Sequence, residues 1–239
     1  MDTNEIVKKV ISKRELKDID DNFVKSLILE LSKRYKGEIL FKESRKILRL
    51  IYGMYKSKEL TLEKHLSTRD RLSYYKEIYE NIFKITGKPN SILDLGCGIN
   101  PLSYQYLSCK PEYYACDIGK DYIGVINDYF NKNNIKGNAF IFDLINGDYN
   151  NLPKADVCFL FKVLESLELI KRDISKDIIK KLNCNYIIVS FAKKALGGRI
   201  TIRKKGRSWF RRILNKLDYK YEILDIGDEI FYVIKKDYN

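Results

Sequence analysis

Residues 91–102 read Ser-Ile-Leu-Asp-Leu-Gly-Cys-Gly-Ile-Asn-Pro-Leu, and this stretch decides the fold. The apolar run 92–95 predicts a buried strand. Gly96 and Gly98 predict a sharp turn where a ligand can approach the backbone without meeting a Cβ atom. Pro101 suits the first turn of a following helix. Such a strand, turn and helix form the first unit of a Rossmann-like sheet. The third glycine of a dinucleotide fingerprint is absent, so the match to dinucleotide binding is poor.

Downstream, apolar runs alternate with helical patterns, which predicts a largely parallel sheet. Further strands are predicted at residues 113–118, 138–144, 156–162 and 185–191, with one helix over 166–182. A terminal hairpin is predicted over 221–226 and 229–235, with its turn at Gly227 and Asp228. The predicted fold class is α/β, a seven-stranded, mostly parallel Rossmann-like sheet with an antiparallel edge. Residues 1–64 show helical spacing and predict a separate helical domain before a second domain, 65–239.

Two aspartates follow predicted strands at the edge of the sheet where ligands bind. Asp117 comes 21 residues after Gly96, where a carboxylate can accept hydrogen bonds from ribose hydroxyls. The alternative is that Asp117 caps the helix running from Tyr122 onward, and the two interpretations are compatible. Asp143 ends the third predicted strand, where it can accept a hydrogen bond from an adenine amino group with Leu144 beside the ring.

The chain carries 45 basic and 32 acidic residues, a net charge of +13. This excess favours a polyanionic partner, with an ordinary solvated basic surface as the alternative. Nine Lys and Arg and no acidic residue fall between positions 193 and 212. That run predicts a surface for a phosphate backbone. Trp209 and Phe210 lie within it and are predicted to be the core face of a helix. The candidate RNA contacts are Lys193, Lys194, Arg199, Arg203, Lys204, Lys205 and Arg207.

Several classes of protein are disfavoured by the composition. The five cysteines are scattered without a C-x-x-C pair, which disfavours structural zinc and indicates reduced thiols. No apolar run is long enough to span a bilayer, and the acidic N-terminus is not a signal peptide, so we expect a cytoplasmic protein. His65 is the single histidine and is more often structural than catalytic at such a position. Ser67 or Thr68 is expected to cap the next helix.

Four stretches together resemble the aminoglycoside-resistance 16S rRNA (guanine-N7) methyltransferases, which are class I S-adenosylmethionine (SAM)-dependent enzymes. They are residues 65–72 (H-L-S-T-R-D-R-L), 93–102, 116–118 (C-D-I) and 189–199 (V-S-F-A-K-K-A-L-G-G-R). The similarity extends from about Ile47 to the C-terminus. Asp70 stands where the family has glutamate, and Ala192 where it has proline. Residues 200–205 depart from a glycine-rich family segment.

This resemblance implies a cofactor, a target and a set of site residues. SAM would be the cofactor, with Arg71 on its carboxylate. The residues implied to line that end are His65, Ser67, Thr68 and Arg69, with Tyr55 near the cofactor, while Gly96, Asp117, Ile118, Asp143, Leu144 and Phe161 would contact the rest. The N-terminal helices would dock on the 30S subunit, and the target would be guanine N7 in the decoding site.

Guanine N7 carries a lone pair and no proton, so no general base is expected and positioning supplies most of the rate. The absence of N-P-P-Y and Pro-Cys motifs agrees with this chemistry. We expect a monomer with no metal and no membrane contact. Two alternatives stay open, which are methylation of another rRNA or tRNA site, and a non-catalytic SAM-binding ribosome-assembly factor.

Overall fold

The computed structural model describes residues 3–53, 59–193 and 207–236. Its N-terminal part is helical, as predicted. Three helices, α1 (Thr3–Ile11), α2 (Asp21–Ser32) and α3 (Gly37–Leu48), are joined by a 3₁₀ turn at Arg14–Leu16 and followed by a π-helical turn at Arg49–Gly53. Asp20 starts α2, because its carboxylate accepts hydrogen bonds from the backbone N–H groups of Asn22 and Phe23.

Seven strands form one mixed sheet in the order β3-β2-β1-β4-β5-β7-β6, which confirms the predicted fold class. Strands β1 to β5 run parallel, while β7 is antiparallel to both β5 and β6. The strands are β1 (Ser91–Leu95), β2 (Glu112–Asp117), β3 (Gly137–Ile141), β4 (Ala155–Phe161), β5 (Cys184–Ala192), β6 (Tyr221–Ile226) and β7 (Glu229–Lys235). The terminal hairpin has the predicted bounds, with Gly227 at its turn in the left-handed region, φ 55°.

The helices that connect the strands are α4 (Leu66–Arg69), α5 (Tyr75–Thr86), α6 (Lys120–Lys132), α7 (Leu164–Ile170), α8 (Ile174–Lys181) and α9 (Ser208–Lys216). The segment after β1 is a 3₁₀ helix, Asn100–Tyr106, with Pro101 in its first turn as expected. Phe210 on α9 is fully buried and Trp209 packs beside it, which confirms their predicted place in the core.

The prediction of a single helix over 166–182 is wrong, because α7 ends and α8 begins within it. Lys171 is extended (φ −135°, ψ 120°), and Asp173 is left-handed (φ 62°). The Glu168 carboxylate holds this break by accepting hydrogen bonds from the backbone N–H groups of Asp173 and Ser175. Neither glycine nor proline stands at the break, and the one turn-forming residue at its centre is Asp173, which tolerates the left-handed backbone.

Two other local predictions need correction. Strand β3 ends at Ile141, so Asp143 lies two residues beyond the strand. Neither Ser67 nor Thr68 caps a helix, since α4 begins after His65 without a side-chain cap. The Thr68 hydroxyl instead donates to the backbone oxygen of Leu62 at 2.9 Å. That bond ties α4 to the segment before it.

The N-terminal helices pack against the sheet in one hydrophobic core. Residues 18–20 also pair with residues 118–120 through the backbone. The N–H of Asp20 donates to the carbonyl of Ile118 and that of Lys120 to the carbonyl of Asp18, both at 2.8 Å. These bonds fix the helices beside the end of β2. Among the described residues, none of the helices has the length and apolarity that crossing a bilayer requires.

Candidate functional site

A cleft opens beyond the carboxyl ends of β1, β2 and β4. In a parallel sheet this is the switch point, where the connections from neighbouring strands leave in opposite directions and ligands bind. Its empty volume, counted out to the open mouth, is about 830 Å³. The walls include Phe23, Ile51, Tyr52, His65, Ser67, Arg71, Gly96, Cys97, Gly98, Asp117, Ile118, Tyr122, Phe142, Leu144, Phe161, Lys162, Val163, Ser166 and Leu167.

The floor of the cleft is the glycine turn after β1. Gly96 and Gly98 both have left-handed backbones, with φ values of 63° and 52°. A Cβ atom on Gly96 would lie 2.6 Å from Cγ2 of Val163, and one on Gly98 would lie 3.2 Å from Cε1 of His65. The turn therefore requires glycine for both conformation and space.

Asp117 fastens this turn to the end of β2. Its carboxylate accepts three backbone N–H groups, from Gly98 at 2.8 Å, Ile118 at 2.7 Å and Gly119 at 2.9 Å. Helix α6 begins after Gly119, so Asp117 braces the loop and is not the helix cap itself. Burial raises the pKa of Asp117, although the three backbone bonds oppose the shift. A carboxylate offers about four acceptor positions, so one remains for a ligand in the cleft.

The opposite wall holds a buried charged cluster. Nε of Arg71 donates to Oε1 of Glu229 at 2.7 Å, and Nη1 donates to Oδ1 of Asn100 at 2.8 Å. Nζ of Lys162 lies 2.9 Å from the same Oε1. The guanidinium also stacks over the ring of Phe161, 5.0 Å from its centroid.

Two cations and a carboxylate lie at the centre of this cluster. Arg71 and Glu229 are each 2% exposed, and the Lys162 side chain is 13% exposed. Although burial raises it, the two cations hold the pKa of Glu229 below its usual range. Two other carboxylates are near: Asp70 lies 3.8 Å from Lys162 and is 40% exposed, and the buried Asp94 is linked to Arg71 through Asn100. Arg71 and Lys162 both line the cleft, where two cationic donors suit an anionic ligand group.

His65 forms a neutral part of the same wall. Burial, with Arg71 and Lys162 nearby, lowers the pKa of His65 to about 4. Its Nδ1 lies 3.0 Å from the hydroxyl of Ser67, and its ring meets Tyr122 edge-on at 5.6 Å. At neutral pH the imidazole is therefore uncharged and has a structural role in shaping the cleft.

The N-terminal helices contribute a wall that the sequence did not reveal. Phe23 of α2 and Ile51 and Tyr52 of the π-helical turn line the cleft. The Tyr52 hydroxyl donates to Oδ1 of Asp121 at 2.6 Å, which ties this turn to the start of α6. A π-helical turn is rare and frequently occurs at functional sites, but no sequence pattern marks it.

The structure brings together most of the predicted ligand contacts. His65, Ser67, Arg71, Gly96, Asp117, Ile118, Leu144 and Phe161 line the cleft. Three others lie off its walls. Thr68 is fully buried, the side chain of Arg69 is 58% exposed beside Asp70, and Asp143 accepts a hydrogen bond from the N–H of Ile145. Tyr55 lies outside the described residues.

The predicted basic surface is described only at its two ends. Lys193 forms an ion pair with Asp225 and donates to the carbonyl of Gly227. Arg207 is 3% exposed and binds Glu165 at 3.0 Å and the carbonyl of Ala192 at 2.9 Å. Arg207 is thus buried in an ion pair, and the expectation that it faces a phosphate backbone is corrected. Lys194, Arg199, Arg203, Lys204 and Lys205 lie outside the described residues.

Asn100 and Glu229 are site residues that sequence reasoning missed. Asn100 stands in the quoted glycine stretch, directly before Pro101, and its buried amide links Arg71 to Asp94. Its position in that stretch was an available signal. Glu229 is an acidic residue at the head of an otherwise apolar strand, but nothing local connects it to Arg71, 158 residues away.

The sheet order, with antiparallel β7 between β5 and β6, and the cleft over the β1 turn define a Rossmann-like methyltransferase fold. The model of one family, described as "Ribosomal RNA methyltransferase (FmrO)", matches residues 55–232. The chain belongs to this family.

Three similar proteins illustrate the relationship. A 16S rRNA (guanine(1405)-N(7))-methyltransferase of Micromonospora echinospora is 33% identical over 175 residues, 72% of this chain and 63% of that protein. The match thus spans less than two thirds of that relative's length. The structure of the 16S rRNA methylase RmtB aligns with a TM-score of 0.83 over 99% of both chains, at 21% identity. The structure of the 16S rRNA methyltransferase RmtF in complex with S-adenosyl-L-homocysteine gives 0.83 over 99% of this chain and 100% of that one, at 24% identity.

Proposed function

We propose that this chain is a SAM-dependent RNA methyltransferase that methylates N7 of a guanine in the decoding site of 16S rRNA, within the 30S subunit. The observation that carries the proposal is the pairing of two features in one cleft. A braced glycine turn with a carboxylate at Asp117 faces a wall that carries two cations, Arg71 and Lys162. Family membership and the similarity to a 16S rRNA (guanine-N7) methyltransferase support the target.

The cleft fits the three chemical parts of SAM. Asp117 would accept a hydrogen bond from a ribose hydroxyl, using its remaining acceptor position. Ile118 and Leu144 offer apolar contact for the adenine ring. Arg71 and Lys162 would bind the amino-acid carboxylate as charge-assisted donors. Gly96 and Gly98 line the cleft, where the cofactor would lie against the glycine turn.

The proposed reaction requires the nucleophile and the methyl group to be positioned, and it requires no proton transfer. When bound, SAM supplies an electrophilic methyl group on a sulfonium centre. Guanine N7 presents a lone pair and no proton, so the chain needs to hold nucleophile and methyl group in line and exclude water. The neutral His65 and the apolar ring of Phe161 shape this part of the cleft. A base held in a helix must first turn outward to reach the cofactor.

The RNA is proposed to bind through basic residues outside the cleft. The net charge of +13 favours a polyanion and predicts affinity that falls with salt. We assign docking on the small ribosomal subunit to a helical domain of residues 1–64, and phosphate contacts to the basic run after β5. We further propose that the protein is a monomer, that it needs no metal, and that it acts in the cytoplasm, where its proposed substrate resides.

The test is transfer of tritium from labelled SAM to 30S subunits, naked 16S rRNA and bulk tRNA in parallel. Label in 30S that maps to one guanine by borohydride and aniline cleavage is the expected result. Asp117→Ala is the matched control and should give no label because it loses the ribose acceptor. Label only in tRNA, or only at another base, would overturn the target.

An assembly factor that binds SAM without turnover is the rival from another class. It shares the cleft and the basic charge with the proposed enzyme, so RNA binding does not separate the two. If no RNA is labelled while calorimetry shows that SAM still binds, the proposed enzyme function would be rejected in favour of this assembly factor.

A further inference from the structure

Glu229 stands behind the cations of the cleft and does not line the cleft itself. It is the first residue of β7 and is 2% exposed. Its Oε1 accepts from Nε of Arg71 at 2.7 Å and lies 2.9 Å from Nζ of Lys162. Its Oε2 accepts from the hydroxyl of Ser190, on the neighbouring strand β5, at 2.7 Å. Three bonds therefore fix both oxygens of this carboxylate.

The bonds of Arg71 leave part of its guanidinium for a ligand. Glu229 engages Nε, and Asn100 engages Nη1. Neither contact uses Nη2, and Arg71 lines the cleft. A planar guanidinium held at two nitrogens has little freedom to rotate, so the direction of the third nitrogen is set by its partners.

Lys162 is held in an unusual backbone conformation at the same place. It follows the last residue of β4 and has φ 59°, in the left-handed region that is unfavourable for a residue other than glycine. Its N–H still donates to the carbonyl of Ser190 at 3.1 Å. The turned backbone points its amine back to Glu229, so the ion pair accompanies the strained turn.

We propose that Glu229 is a positioning residue that orients Arg71 and Lys162 toward the carboxylate of the cofactor. This inference rests on the proposed function, since it assumes SAM in the cleft. Glu229 joins segments that are far apart in sequence, namely the residues after α4, the end of β4 and the start of β7. The terminal hairpin thereby determines the geometry of the carboxylate end of the site.

The test compares two ligands on the full chain by calorimetry. S-adenosylhomocysteine carries the amino-acid carboxylate, whereas 5′-methylthioadenosine shares the adenosine and the sulfur but lacks that end. Glu229→Gln keeps the shape and removes the charge that orders the cations. It should weaken S-adenosylhomocysteine about tenfold, as expected for losing one well-placed charged hydrogen bond. Its affinity for 5′-methylthioadenosine should stay within about twofold of the unmodified protein, a change of about 0.4 kcal/mol.

Two further variants keep the test decisive if Glu229→Gln fails to fold. Ser190→Ala removes the hydroxyl behind Glu229 without altering any charge, and it should weaken S-adenosylhomocysteine selectively by a smaller factor. Glu222→Gln is the matched control, because this exposed residue lies on the neighbouring strand β6 and touches none of the cluster. It should leave both ligands unchanged.

Each result separates this inference from the function on which it rests. Unchanged or tighter binding of S-adenosylhomocysteine by both Glu229→Gln and Ser190→Ala would overturn the positioning role, as would an equal loss for the two ligands. The labelled-SAM assay of the unmodified protein would still stand. If the unmodified protein binds neither ligand, the cofactor assignment falls and the positioning role falls with it.

Discussion

Replacing the buried Asp94 with asparagine should remove a cost to stability that grows with pH. The Oδ2 atom of Asp94 accepts from Nδ2 of Asn100 at 2.8 Å and from the hydroxyl of Tyr113 at 2.9 Å. Its Oδ1 bonds to none of the described residues. Asparagine can keep both bonds through one oxygen while removing a charge that is fully buried.

The pKa of Asp94 gives the size and sign of the effect. Burial raises this pKa from 3.8 to about 6, although Asn100 and Tyr113 oppose the shift. Between those values the folded state binds more protons than the unfolded state, so the free energy of unfolding falls as the pH rises. The side chain thus costs the wild type about 2 kcal/mol between about pH 4.5 and about pH 7.5. Asp94→Asn does not incur this cost.

The assay is urea unfolding of wild type and Asp94→Asn across that pH range. The free-energy difference between them should grow by about 2 kcal/mol in favour of the variant as the pH rises. His65, whose lowered pKa acts in the opposite direction, is present in both proteins and cancels in the difference. Asp128→Asn, at an exposed position on α6, is the control and should show a constant difference. A difference for Asp94→Asn that is flat, or that shrinks with pH, would refute the reasoning.

Three further changes test the site and its supports. Asp117→Asn places an amide NH2 group against one of the three backbone N–H groups that donate to this carboxylate. S-adenosylhomocysteine should then bind more weakly in calorimetry, by about tenfold or more. An affinity equal to that of the wild type would contradict the assignment of Asp117 to the site. Gly96→Ala should lower the free energy of unfolding by about 2 kcal/mol or more, and adding Val163→Ala should recover part of the loss; no recovery would mean that the clash is not the cause. Arg207→Ala should cost about 2 kcal/mol in urea unfolding, because the carbonyl of Ala192 loses its donor and Glu165 loses its ion-pair partner, whereas Arg212→Ala on the following helix should cost under about 0.5 kcal/mol; equal costs would argue against a structural role for the buried Arg207.

The fold was largely predictable because its signals are local. The run before Gly96 and the turn at Gly227 and Asp228 combine an apolar period with residues that favour turns, and both elements appear where expected. The break before α8 carried a weaker signal, because Asp173 stands there without a glycine or proline, and the hydrogen bond from its N–H to Glu168 becomes visible only in the folded structure. The burial of Arg207 was missed for a similar reason, since a run of positive charge does not reveal which member packs inward and pairs with a carboxylate on another helix.

The residues of the candidate site that could be predicted are those that lie within short sequence motifs. Gly96, Asp117 and Arg71 each lie in a short recognisable stretch, and all three line the cleft. The supporting groups, Glu229 and Tyr52, reach the site only through tertiary packing. Nothing in the residues adjacent to them in sequence indicates a partner about 70 or more residues away, so the chain had to be folded before they were visible.

The pairing of residues 18–20 with residues 118–120 also has a consequence for synthesis. Ile19 meets its partner Gly119 about 100 residues later in the chain. At a translation rate of about 5–20 residues per second, α2 waits about 5–20 seconds for the strand that completes its packing. During that interval the apolar side chains Phe23, Leu27 and Leu31 have only the neighbouring helices to cover them. Until residues 118–120 emerge, the packing of these helices against one another is therefore the cover available to those side chains in the nascent chain.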